Sequence, residues 1–102
     1  MPPAPSPQSV SRLLAGAGFE RSVSRPSAVK GWHEWSAGYK VRTGYVVGEV
    51  HVEHRVSSLR LRDPSSRDEE AAKLAAYAKT ITGAGWAVKP GADKLIVTAK
   101  EG

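Results

Sequence analysis

Cysteine is absent from this chain of 102 residues, which excludes disulfides, thiolate metal sites and cysteine nucleophiles. No apolar run approaches the roughly 20 residues of a membrane span. Met1 to Pro7 has neither the charged start nor the apolar stretch of a signal peptide. The expectation is a soluble, cytoplasmic protein with no membrane partner. Acidic groups are the minority charge, 10 against 15 Lys and Arg, for a formal net charge of +5 and a pI near 9.8. Apolar residues at 40% and charged residues at 25% are ordinary for a globular chain and too apolar for full disorder. A chain of this length buries roughly two-thirds of its unfolded surface. That supports one core, and it is too small for a multi-domain enzyme or a large cofactor fold.

Four of the seven prolines lie in the first seven residues. Because proline fixes φ and removes a donor, residues 1–6 are expected to form a disordered tail and 7–102 a single domain. Ser6 before Pro7 is a helix start. Val10, Leu13, Leu14 and Ala17 then recur at helical spacing, giving a first helix over about 7–17 that Gly18 stops. Phe19, Arg21 and Val23 alternate like a short strand, which Ser24-Arg25-Pro26-Ser27 breaks. From Trp32 to Arg62 the period is two. Tyr39, Val41 and Thr43 oppose Lys40 and Arg42; Val50, Val52, His54 and Val56 oppose Glu49, His51, Glu53 and Arg55; Leu59 and Leu61 oppose Arg60 and Arg62. Three or four antiparallel strands with one wet face follow. Ser66 and Glu69 form a capping-box pattern. Ala71, Leu74, Ala75, Ala78 and Ile81, with Tyr77 beside them, make a second helix over about 66–81, ended by Gly83. Trp86 to Lys89 and Leu95 to Ala99 flank a turn and read as a closing hairpin. The expected fold is α+β, two helices packed on one face of an antiparallel sheet.

The charge is unevenly placed. Residues 1–62 carry nine basic and four acidic groups, whereas residues 63–102 carry six of each. Arg21, Arg25, Lys30, Lys40, Arg42 and Arg55 are interleaved with Trp32, Trp35, Tyr39 and Tyr45. Cations for phosphates beside aromatic faces for bases are the ingredients of nucleic-acid binding. The candidate site is therefore Arg21, Arg25, Lys30, Trp32, Lys40, Arg42, Tyr45 and Arg55, with DNA or RNA as first-choice ligand. The competing expectation is a host-protein partner. In that case Lys40, Arg42 and Arg55 merely pair with Glu49 and Glu53 across the strands. Trp35 and Tyr39 are expected in the core. Trp32 is then either a solvent-facing recognition anchor or, the favoured placement, tucked under the first helix.

Catalytic and metal motifs do not survive inspection, so no enzyme, metal or cofactor is expected. His51 and His54 are three apart on a strand and point to opposite faces. His54 belongs on the apolar face with one satisfied nitrogen, and His51 in solvent beside Glu49 and Glu53. Ser27-Ala28-Val29-Lys30 matches Ser-x-x-Lys, but Pro26 and Gly31 flank it and deny it the helix that chemistry needs. Glu69 and Glu70 suit a helix dipole better than acid/base work. The double-stranded-RNA module shares the helix–strands–helix order. Its phosphate-facing lysines would here be Asp68, Glu69 and Glu70, which excludes it.

Ala17-Gly18-Phe19-Glu20, Gly31-Trp32, Gly38-Tyr39-Lys40-Val41, Leu74-Ala75-Ala76-Tyr77-Ala78, Gly85-Trp86 and Leu95-Ile96-Val97 resemble small uncharacterised proteins of actinobacterial phages and integrated mobile elements. The absence of Asn and the scarcity of Ile and Phe suit a GC-rich genome. The resemblance implies an accessory factor that binds a host protein or nucleic acid, and it assigns no functional residue.

Overall fold

The computed structural model describes residues 4–29 and 31–100. Helix α1 (Pro7–Gly16) starts with a reciprocal cap, the Ser6 and Ser9 side chains each bonding the other's backbone N–H. Ser6 is thus part of the helix start, and Pro5 is buried; Met1 to Pro3 lie outside the described residues. Two short strands follow, β1 (Ser24–Pro26) and β2 (His33–Trp35), paired as an antiparallel ribbon. The main sheet has β3 (Gly38–Thr43), β4 (Val50–Arg55), β5 (Trp86–Pro90) and β6 (Leu95–Ala99), all antiparallel in the order β3-β4-β6-β5. Helix α2 (Ser66–Gly83) connects β4 to β5. Pro90, which cannot donate to a ladder, sits in the edge strand β5, where none is needed on the open side.

Register explains the two faces. Tyr39 pairs with His54, Val41 with Val52, Val50 with Val97, and Val97 with Val88. All of these lie on one side, because side chains alternate along a strand. That side meets Val10 and Leu14 of α1 and Tyr77 and Ile81 of α2 in one core. The fold is α+β, two helices over an antiparallel sheet, as the periodicity implied. Tyr77 is the hub. Its ring meets Phe19 edge-on at 4.8 Å between centroids and Tyr39 at 6.2 Å.

Four local expectations are corrected. The alternation at residues 19–23 forms no strand of its own; Arg21 makes a single parallel bridge to Tyr39, and the strand is Ser24–Pro26. Pro26 is tolerated because the ribbon has only two strands, both edges. Leu59 and Leu61 lie on a 3₁₀ turn (Ser58–Arg60) and its continuation. The alternation fails there because Arg60 is drawn to Glu69 at 2.6 Å, and the Ser58 hydroxyl accepts from the Trp35 N–H. In α2 the N-cap is Ser65, whose side chain makes no capping bond and instead binds Asp63 and Arg60. Glu69, expected in a capping box, is occupied by Arg60 and His54 instead. The left-handed residue after α2 is Gly85 (φ 99°), not Gly83.

Gly38 fixes where the chain after α1 runs. The Tyr39 N–H donates to the Glu20 carbonyl and the Ser22 N–H to the Tyr39 carbonyl, each at 2.9 Å. A Cβ at position 38 would lie 2.5 Å from the Glu20 oxygen and the Ser22 nitrogen. Only glycine lets residues 20–22 lie this close to β3, and that contact carries Arg21 to its place.

Candidate nucleic-acid interface

The open edge of β3 forms the floor of a groove of about 650 Å³. One wall is the polar flank of α1, where Gln8, Ser11, Arg12 and Ala15 recur at i, i+3, i+4 and i+7. The other is the segment Arg21 to Ser24, with Lys40 and Arg55 at the margin. Arg12, Arg21, Lys40 and Arg55 thus share one concavity, and among the described residues its lining contains no carboxylate. Among the described residues, Arg12, Arg21, Lys40 and Arg55 form no ion pair. The Tyr39 hydroxyl at the floor donates to the Ser11 carbonyl at 3.2 Å, fixing α1 against β3. Arg55 donates to the Ser24 hydroxyl at 3.3 Å and lies over the Trp35 ring, 5.2 Å from its centroid.

Of the eight expected site residues, this groove gathers Arg21, Lys40 and Arg55. Arg42 lies beyond it and pairs with Glu53. Arg25 faces Glu34 at 3.9 Å on the ribbon. Tyr45 is 85% exposed past the far end of β3, where the Lys94 ammonium sits 4.8 Å from its ring centroid. Lys30 lies outside the described residues. Arg12 was missed in the sequence, although its position four residues after Gln8, beside the apolar stripe, was the available signal.

Trp32 departs from the favoured placement. It is 68% exposed and lines an apolar depression of about 350 Å³ with Val29, Trp35, Leu59 and Leu61. Strand β2 packs on the 3₁₀ turn at Ser58–Arg60 and not under α1. Trp35, expected in the core, is half-buried, with its indole N–H donating to the Val56 carbonyl at 2.8 Å.

The histidines are also reassigned. His51 is 2% exposed, not solvated: it bonds Glu49 at 2.6 Å and packs edge-on against Tyr45. His54 is on the core side with both nitrogens partnered, Nε2 with Glu69 at 2.9 Å and Nδ1 with the Tyr77 hydroxyl at 2.7 Å. A carboxylate only accepts, so Nε2–H donates to Glu69, while Nδ1 and the Tyr77 hydroxyl share the second hydrogen bond. Burial, with help from the Glu69 charge, pushes the Tyr77 hydroxyl up to about 12, so it stays neutral at physiological pH. The cluster Arg60–Glu69–His54–Tyr77 fastens α2 to β4. Among the described residues no group of three His, Asp or Glu could hold a metal ion.

This cluster carries a pH dependence. The His54 hydrogen bond, with a smaller contribution from Arg60, holds the Glu69 carboxyl below the usual glutamate range despite burial. A depressed folded-state value stabilises the fold above the unfolded-state value, and the stabilisation is lost as pH falls. The urea midpoint is expected to decline as pH drops below about 4.3, the ordinary glutamate value. Glu69→Gln should lower the midpoint at neutral pH and flatten that decline. An unchanged acid slope in the variant would assign the loss to other carboxylates.

No helix among the described residues is long and apolar enough to cross a membrane. Compared with known protein families, curated proteins and solved structures, the chain matches none.

Proposed function

We propose that this chain is a non-catalytic binding module that takes nucleic acid into the groove between α1 and the β3 edge. One observation carries the reading: Arg12, Arg21, Lys40 and Arg55 converge on a concavity with no carboxylate among the described residues that line it. Convergent, un-neutralised cations cost electrostatic repulsion in the free protein, and a polyanion relieves it. Arg25 and Arg42, each facing a glutamate, contribute little. The resemblance to phage and mobile-element proteins fits a cytoplasmic accessory factor acting on DNA or RNA.

The direct experiment is a titration against mixed-sequence DNA and RNA over a range of salt. Binding that strengthens steeply as salt is lowered is expected. No association at low salt rejects the reading. A second reading, a host-protein partner, is favoured by the exposed apolar surface of Trp32, Leu59 and Leu61. Recovery of one stoichiometric protein after nuclease treatment would support it.

A further inference from the structure

We infer that the ligand is a single strand, its phosphates in the groove and a base stacked on Trp32. This rests on the groove reading above and goes further by naming the form of nucleic acid.

Shape comes first. Duplex readers push a convex helix or ribbon into a major groove about 12 Å wide. Here the cations line a concavity between a helix and a strand edge, not a projecting element, and a strand's backbone fits into such a groove. The floor is also suited to a strand. Tyr39 turns its N–H and C=O away from β4, toward Glu20 and Ser22. Alternation of an antiparallel ladder therefore turns the N–H and C=O of Val41, two residues on, the same way. Val41 lines the groove, so these groups offer a donor and an acceptor along its length.

Continuity comes second. Arg55 is both a groove residue and the cation over the Trp35 ring. Trp35 lines two further depressions, one of which also contains Trp32. Arg55, packed on the Trp35 ring, thus stands between the cationic groove and the depression that holds the open Trp32 indole, whose lining also includes Glu34 opposite Arg25. Cations tracking a backbone beside aromatic rings that stack bases are the working parts of single-strand binding, whereas the faces of paired bases are hidden inside a duplex. The Arg55 guanidinium on the neighbouring Trp35 ring, continuous with the groove cations, is what commits the Trp32 surface to a base rather than to a protein side chain.

The test titrates the full chain with a labelled oligothymidylate, a duplex of equal length and a polyglutamate peptide. The single strand is expected to bind tightest and to quench tryptophan emission. Trp32→Ala should weaken it about tenfold or more while leaving the salt slope and the circular dichroism spectrum unchanged. Because Trp32 is exposed, this variant is expected to fold, and the spectrum checks that it does. Duplex binding as tight as single-strand binding, or an unaffected Trp32→Ala affinity, overturns the single-strand inference and leaves the groove reading standing. Preference for polyglutamate, or no binding to any probe at low salt, overturns both.

Discussion

Replacing Arg21 and Lys40 together with glutamate is expected to reduce oligonucleotide affinity by about 100-fold or more at low salt. Four cations that each neutralise one phosphate give a log–log salt slope of about −2.8 for a single strand, a loss of about 50-fold between 50 and 200 mM salt. With two of them gone the slope should fall to about −1.4, or about sevenfold over the same interval. The magnitude follows from position. Arg21 and Lys40 flank the groove without an ion partner among the described residues, so reversal both removes attraction and adds repulsion at the phosphates. Arg42→Gln is the control. Arg42 is equally basic and only two residues from Lys40, but it is paired with Glu53 outside the groove, so affinity and salt slope should stay near wild type. Fluorescence anisotropy at several salt concentrations reads both quantities. Equal losses in the double variant and in Arg42→Gln would mean that the groove has no special standing.

Tyr77→Ala is expected to cost about 3–5 kcal/mol, a large part of the roughly 5–15 kcal/mol that holds a domain together. Tyr77 is 1% exposed and its ring contacts Phe19, Tyr39 and His54, which arrive from the α1–β1 segment, β3 and β4. Truncation would leave a cavity where these elements meet, and the domain should be largely unfolded at 37 °C. Tyr77→Phe separates packing from the hydrogen bond. It keeps the ring but leaves Nδ1 of His54 without the hydroxyl, for a loss of about 1–3 kcal/mol. Urea denaturation of the three proteins gives the ordering. A phenylalanine variant as unstable as the alanine variant would put the hydroxyl, not the ring, at the centre of the core.

The helices and the main sheet were legible because burial imposes a period. Val10 and Leu14 mark one helix stripe, and Tyr39, Val50, Val52, Leu95 and Val97 mark the inward side of three strands. Alternation misled where side chains found stronger partners. Arg60 and Leu61 continue the two-residue period, but Glu69, on the helix that follows, holds Arg60 in a turn. In α2 the sequence stripe named Ala71 and Ala75, which are exposed. The stripe's Leu74, Ala78 and Ile81 do pack on the core, and the helix is turned so that Tyr77, placed beside the stripe, is buried with them, because a large ring bonded to His54 outweighs two alanine methyls.

Composition and periodicity alone determined that this is a small α+β domain without cysteine chemistry, with its positive excess in the first 62 residues. They could do so because charge is a sum and periodicity is local. Which cations act together was decided only by tertiary structure. Arg12, Arg21, Lys40 and Arg55 come from a helix, a loop and two strands, and they meet because Gly38 admits residues 20–22 against β3. Whether a cation is free or neutralised depends on carboxylates brought near by folding, which no spacing along the chain records.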